Sequence, residues 1–208
     1  MTPRLALILA ALLLPASAAE AAFHLDLRGG YGLFVDKSYS GAAAYGVGAG
    51  FDLARHLSLE LSGTRFDSSA AATSDGLSAG RIGLMPLEIM VEARFPLGAG
   101  KWAAFGAFGG GFVLTSFTFE SSAAASWAAV GFGVVEKVQS TACVSAAAGL
   151  EVALSGTSAL RLEARYRLMK PSGTWSITDL LSGETVSGTL DRLSLDSLTV
   201  GLAVRIGL

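Results

Sequence analysis

The chain of 208 residues has one cysteine, two histidines, five prolines and only 15% charged residues. A lone thiol, Cys143, excludes an internal disulfide framework and a multi-cysteine metal site, and reads as a small strand residue. Charge is scarce beside the roughly 25% of an average soluble domain. With a formal charge of −2 and no basic run, the chain lacks the footprint of a nucleic-acid-binding protein. No apolar run past the amino terminus approaches the roughly 18 residues of a transmembrane helix. Yet 51% of the residues are hydrophobic and 26 are glycine. A chain this apolar without membrane helices has to hide its apolar side chains another way.

The amino terminus has the anatomy of a secretory signal. Arg4 supplies the positive start, Leu5 to Leu14 the apolar run, and Ala16-Ser17-Ala18 a small-x-small cleavage site. The expectation is a signal peptide over 1–18, with cleavage after 21 (Ala19-Glu20-Ala21) as the competing choice, and one domain over 22–208. With no cysteine near the site, a lipoprotein is not expected.

The rest of the chain repeats with period two. From Leu198 to Leu208 every second residue is a sizeable apolar one (Leu198, Val200, Leu202, Val204, Ile206, Leu208), and the residues between are small apart from Arg205. Such alternation is a strand with one apolar face. Similar segments lie at about Phe23–Val35, Tyr45–Leu53, Leu57–Thr64, Leu87–Leu97, Val144–Leu154 and Leu160–Leu168. Trp102–Phe119 is a glycine-rich strand whose phase is ambiguous. Pro86, lacking an N–H, is expected to end the pairing of its strand on the loop side. Connections alternate: short at Ala54–His56, Pro96–Lys101 and Ser155–Ser158, long at Asp36–Ala42, Asp67–Gly80, Glu120–Thr141 and Pro171–Leu193. Glu120–Thr141 reads as a loop or as an extension of the flanking strands, and Pro171–Leu193 as a polar loop. The fold class expected is all-β: an eight-stranded antiparallel transmembrane up-and-down β-barrel, with the first and last strands paired and the short turns on the periplasmic side.

Three features place the charged face inside. The four lysines (Lys37, Lys101, Lys137, Lys170) fall in expected loops, turns or strand ends, whereas the strand charges are Arg, Glu and Asp, the groups suited to enclosed bidentate contacts. The enclosed set would be Asp26, Asp52, Glu60, Glu88, Glu92, Glu151 and Glu163 against Arg28, Arg94, Arg161, Arg165, Arg167 and Arg205, which is close to neutral as a mutually satisfied interior requires. The glycines of the second strand make room for long arginines opposite. Outward aromatics add an interfacial belt: Phe23, Phe51, Phe95 and Trp102 at the short-turn end, and Tyr31, Tyr45, Tyr166 and Trp175 toward the other.

Leu87–Phe95 followed by Trp102–Phe112, and the hairpin Gly149–Tyr166, resemble the small outer-membrane barrels of Gram-negative bacteria, the OmpA/OmpX/OmpW-like group. The closing segment Thr199-x-Gly201-x-x-Val204-x-Ile206 is similar to the signal read by the outer-membrane assembly machinery, although that family usually ends in an aromatic and Leu208 stands here. The resemblance implies residence in the outer membrane, with its lipid and the assembly machinery as partners. No catalytic group, metal site or cofactor is expected: the only histidines, His24 and His56, sit at a strand start and in a turn, away from the outer rim where a Ser–His hydrolase would work. Two roles remain. One is a charge-plugged anchor presenting its long loops to a ligand the sequence does not identify; the other, implied by the OmpW-like resemblance, is a narrow channel for small, hydrophobic solutes.

Overall fold

The computed structural model describes residues 23–71, 79–98 and 100–208. The expected signal peptide lies outside the described residues. Eight strands close a barrel: β1 (Phe23–Phe34), β2 (Ala42–Ala54), β3 (Leu57–Ala70), β4 (Gly80–Pro96), β5 (Trp102–Phe119), β7 (Thr141–Ala153), β8 (Ser158–Met169) and β11 (Ser197–Gly207). Each pairs antiparallel with its neighbour in chain order. β11 pairs with β1 from Gly207↔His24 to Ser197↔Phe34, so no barrel edge is left open.

The alternation in the sequence is the alternation of the wall. Leu25, Leu27, Val47, Leu61, Ile89, Leu162, Leu202 and Val204 face outward and are exposed, while Asp26, Glu60, Glu88, Arg161 and Ala203 on the same strands are buried. The phase of β5 is now defined: Trp102, Phe108, Phe112 and Leu114 point out, and Ala103, Phe105 and Val113 point in. The expected belt residues Phe23, Phe51, Phe95, Trp102, Tyr31, Tyr45 and Tyr166 are on the outer face. Trp175 is not, because it packs against the buried cluster at the barrel mouth.

Two expectations about connections need correction. Pro86 does not end β4: the strand begins at Gly80, and Pro86 still lies opposite Val113 of β5. Toward β3 the ladder has no partners between Gly63↔Leu87 and Phe66↔Leu84, so the missing N–H is accommodated as a local gap. Pro171–Leu193, taken as a polar loop, contains regular structure, and in Glu120–Thr141 it is the strand-extension reading that holds for 132–138, after a helix. Helix α1 (Ser121–Ala129) is followed by β6 (Phe132–Val138), and β9 (Gly173–Asp179) and β10 (Thr185–Leu190) complete a separate sheet of order β10-β9-β6, the cap sheet. Lys137 therefore lies on a cap strand rather than in a loop. The cap continues the β7–β8 hairpin past the barrel, at the end opposite the short turns. One of its faces is mainly apolar (Phe132, Val134, Val138, Trp175, Ile177, Leu190) with Glu136 and Asp179 among them, and the other carries Thr174, Ser176, Thr178, Thr185, Ser187 and Thr189 with Val135 and Lys137.

Inward glycines let neighbouring backbones approach. A Cβ on Gly109 would overlap the Ile89 carbonyl and lie 2.8 Å from the Met90 Cα, both backbone atoms that cannot swing aside. Gly109→Ala is therefore expected to cost about 1–3 kcal/mol. A urea titration of the refolded barrel checks this, and an unshifted midpoint would show that the wall relaxes freely.

Candidate functional site

A strand presents every second side chain to the lumen, and an eight-stranded barrel is just wide enough for those side chains to fill it. They fill this one in two layers. The layer nearer the short turns is ionic. Arg205 Nε and Nη2 donate to the two oxygens of Asp26, each at 2.9 Å, and its Nη1 donates to Glu92 at 3.0 Å. Arg161, fully buried, donates to Glu92 at 2.5 Å and to Asp26 at 3.3 Å, with its guanidinium 3.8 Å from the centre of the Phe105 ring. Arg28 bridges Asp26 (3.1 Å) and Glu60 (2.5 Å). Further along the axis Arg165 reaches Glu60 (3.4 Å), Glu88 (3.0 Å), Glu163 (2.8 Å) and the Ser62 hydroxyl (3.1 Å). Arg167 completes the column on Glu88, at 3.1 Å through Nε and 2.9 Å through Nη2, and on Thr199 at 2.8 Å. Arg94 sits 3.5 Å from both Glu92 and Glu151 at the other end.

Twelve of the thirteen charges expected in the lumen thus join one connected network, six carboxylates against six guanidiniums. Asp52 stands apart at the short-turn end, partly exposed, 4.0 Å from His24 Nδ1. Sequence reasoning did not include the hydroxyls that complete the network: Ser62, Thr64, Thr199 and Ser145, the last donating to Glu88. Their signal was available, since all are polar residues in phase with the charges.

The second layer is apolar and was not foreseen. Toward the cap, Phe66, Ile82, Leu84, Val113, Cys143 and Met169 line the wall, and Tyr39, Leu190, Leu193 and Leu195 come in from the connections to form one buried cluster. Leu193 and Leu195 are fully buried, held by Leu193 N–H to the Pro171 carbonyl at 2.8 Å and by Leu195 N–H to the Met169 carbonyl at 3.3 Å. The stretch taken as a polar loop therefore turns back into the barrel. Leu193 and Leu195, spaced by two just before the closing strand, carried that signal.

Could the site hold an ion? Oxygens of Asp26 and Glu60 and a nitrogen of His24 come within 4.8 Å of one another. The two carboxylates, however, are already ligands of Arg28, Arg161, Arg165 and Arg205, so a cation would meet four guanidiniums. These donors do not fit a metal. Among the described residues, His24 Nε2 is buried without a hydrogen-bond partner, serine or otherwise.

Residues 5–205 match the outer membrane protein beta-barrel domain family. No curated protein matches the chain. Among solved structures, the outer membrane protein OprG from Pseudomonas aeruginosa aligns over 89% of this chain and 97% of its own with a TM-score of 0.62 at 13% identity. Neisserial surface protein A aligns over 89% and 95% with a TM-score of 0.58 at 11% identity. The outer membrane protease OmpT from Escherichia coli aligns over 94% and 99% with a TM-score of 0.52 at 7% identity. At these identities the likeness is one of fold, and a shared fold says nothing about chemistry.

Proposed function

The chain belongs to the outer membrane protein beta-barrel domain family, and from that premise we propose that it is a closed anchor in the outer membrane of a Gram-negative cell, presenting its cap sheet and α1 as an interaction platform. One observation carries this reading: the lumen is occupied along its axis, by the connected ion pairs below and the apolar plug of Leu193 and Leu195 above. An ion entering would have to displace paired arginines or cross the apolar layer, and both are costly. The short turns and the paired ends of β1 and β11 face the periplasm in this reading, and the cap faces outward. The outward row Val204, Ile206 and Leu208, with Thr199 and Gly201 on the other face of β11, is the surface offered to the assembly machinery. No catalytic role is part of the proposal.

A second reading, a narrow channel for hydrophobic solutes, draws on the apolar lining of the mouth at Phe66, Ile82, Leu84 and Val113. Planar-bilayer recording separates the two. The wild-type protein is expected to give no discrete openings. Openings in the wild type whose size changes with Arg165→Ala would reject the anchor and favour the channel.

A further inference from the structure

The far end of the cap sheet is built from two turns, 130–131 between α1 and β6 and 180–184 between β9 and β10. Their large side chains, Val130, Leu180 and Leu181, are apolar and uncovered. Leu181 is 94% exposed and Val130 66%, and Leu180, Trp127 and Phe132 are also exposed. Leu180 N–H donates to the Gly131 carbonyl at 2.8 Å, which ties the turns together, and the rings of Trp127 and Phe132 meet edge-on at 6.3 Å.

This exposure is held in place. Asp179 accepts the N–H groups of Leu181 (2.8 Å) and Ser182 (3.2 Å), its carbonyl accepts Gly183 N–H at 2.8 Å, and its own N–H donates to the Glu184 carbonyl at 2.9 Å. Gly183 takes the positive φ (75°) that closes the turn. Those N–H bonds hold the Asp179 carboxyl below its usual range. The turn is therefore fully braced at neutral pH, and the bracing weakens only as acid protonates that carboxylate.

We propose that this tip inserts into the interfacial layer of an apposed zwitterionic phospholipid bilayer. The proposal rests on the platform reading, which turns the cap away from the cell. Three observations favour lipid over protein. The apolar surface wraps the end of the sheet: Phe132 lies on one face, while Leu180 sits 3.4 Å from where a Gly133 Cβ would point on the other. A convex tip needs a socket in a protein but none in a bilayer. Its area, on the order of 600 Å² from the exposed fractions, is below the roughly 800 Å² per partner of a stable protein interface, a second copy of the chain included. The charges beside it, Asp179 and Glu184, are acidic and disfavour an anionic surface. The tip is carried away from its own membrane, since the seven-residue strands β6 and β9, at about 3.3 Å per residue, take it roughly 20 Å past the ends of β7 and β8.

The test uses the full mature protein in nanodiscs, mixed with phosphatidylcholine vesicles and followed by flotation and tryptophan emission. Wild-type protein is expected to float with the vesicles and shift its emission to the blue, with Trp127→Phe removing the shift. The variant Leu180→Ser/Leu181→Ser keeps every backbone bond of the turn and is expected to partition at least about tenfold more weakly, with unchanged heat-modifiable migration on a gel. Equal flotation of the variant, or no flotation of the wild type, overturns the proposal. A tag inserted after Ser182 and probed by antibody on intact cells distinguishes the failures. An inaccessible tag removes the platform reading and this proposal with it; an accessible tag without vesicle binding removes the lipid partner alone.

Discussion

Glu88→Leu is expected to destabilise the barrel by about 3–5 kcal/mol, the cost of leaving a buried charge without its counter-ion. Glu88 is fully buried and, among the described residues, is the sole carboxylate in contact with Arg167, which is itself almost wholly buried. Without it Arg167 keeps only the hydroxyls of Thr199 and Thr64, at 2.8 and 3.5 Å. Arg165 is better insured, because Glu163, Glu60 and Ser62 remain. The loss is thus concentrated on one guanidinium, and the double variant Glu88→Leu/Arg167→Leu should recover most of it, since apolar side chains of similar volume replace a buried pair at little cost. Urea unfolding in detergent, read by tryptophan fluorescence, measures both. A single variant within about 1 kcal/mol of wild type, or a double variant no better than the single, would mean that water reaches Arg167 and that the lumen is less closed than described.

Leu193→Ser with Leu195→Ser is expected to release the plug while leaving the barrel standing. Each leucine is fully buried, and removing it costs about 2–5 kcal/mol before the burial of a hydroxyl is counted. The segment that carries them is held to the barrel by this packing, by backbone bonds to Pro171 and Met169 and from Val35 N–H to the Asp196 carbonyl at 2.9 Å, by the Asp196 side chain accepting Met169 N–H at 2.8 Å, and by Lys170 reaching Asp196 and Ser194, each at 3.0 Å. Local opening is therefore cheaper than unfolding the wall. Arg192 lies at the centre of the segment, so limited trypsin digestion reports the release directly. Cleavage after Arg192 should be slow in the wild type and at least tenfold faster in the variant. Equal rates would show that the two leucines do not hold the segment.

The wall was legible in the sequence because a strand buried on one side writes its orientation in every second residue. Leu198 to Leu208 and Leu87 to Phe95 state their faces without any structure, and the charges between them state the interior. Where both faces carry similar residues the writing fails: in β5, Gly, Ala and Phe occupy inward and outward positions alike, and only the register against β4 and β7 assigns them. The cap was missed for a different reason. Thr174-Trp175-Ser176-Ile177-Thr178 does alternate, but the run is short, its polar half is Ser and Thr, and turn-forming residues surround it, so composition outweighed periodicity. The plug required knowing that the chain after β10 turns inward, which depends on what the mouth of the barrel already contains.

The order in which the ionic column is supplied has a consequence for how the barrel is made. β1 to β4 contribute four of its carboxylates (Asp26, Glu60, Glu88, Glu92) and two of its guanidiniums (Arg28, Arg94). β7, β8 and β11 contribute two carboxylates (Glu151, Glu163) and four guanidiniums (Arg161, Arg165, Arg167, Arg205). A half-threaded chain therefore holds an acidic trough that only its basic second half can neutralise. The last match is made across the seam, where Arg205 of β11 closes on Asp26 of β1. Partial intermediates are penalised until that seam zips, so charge complementarity between the two halves makes closure close to all-or-none and disfavours pairing the trough with any other strand.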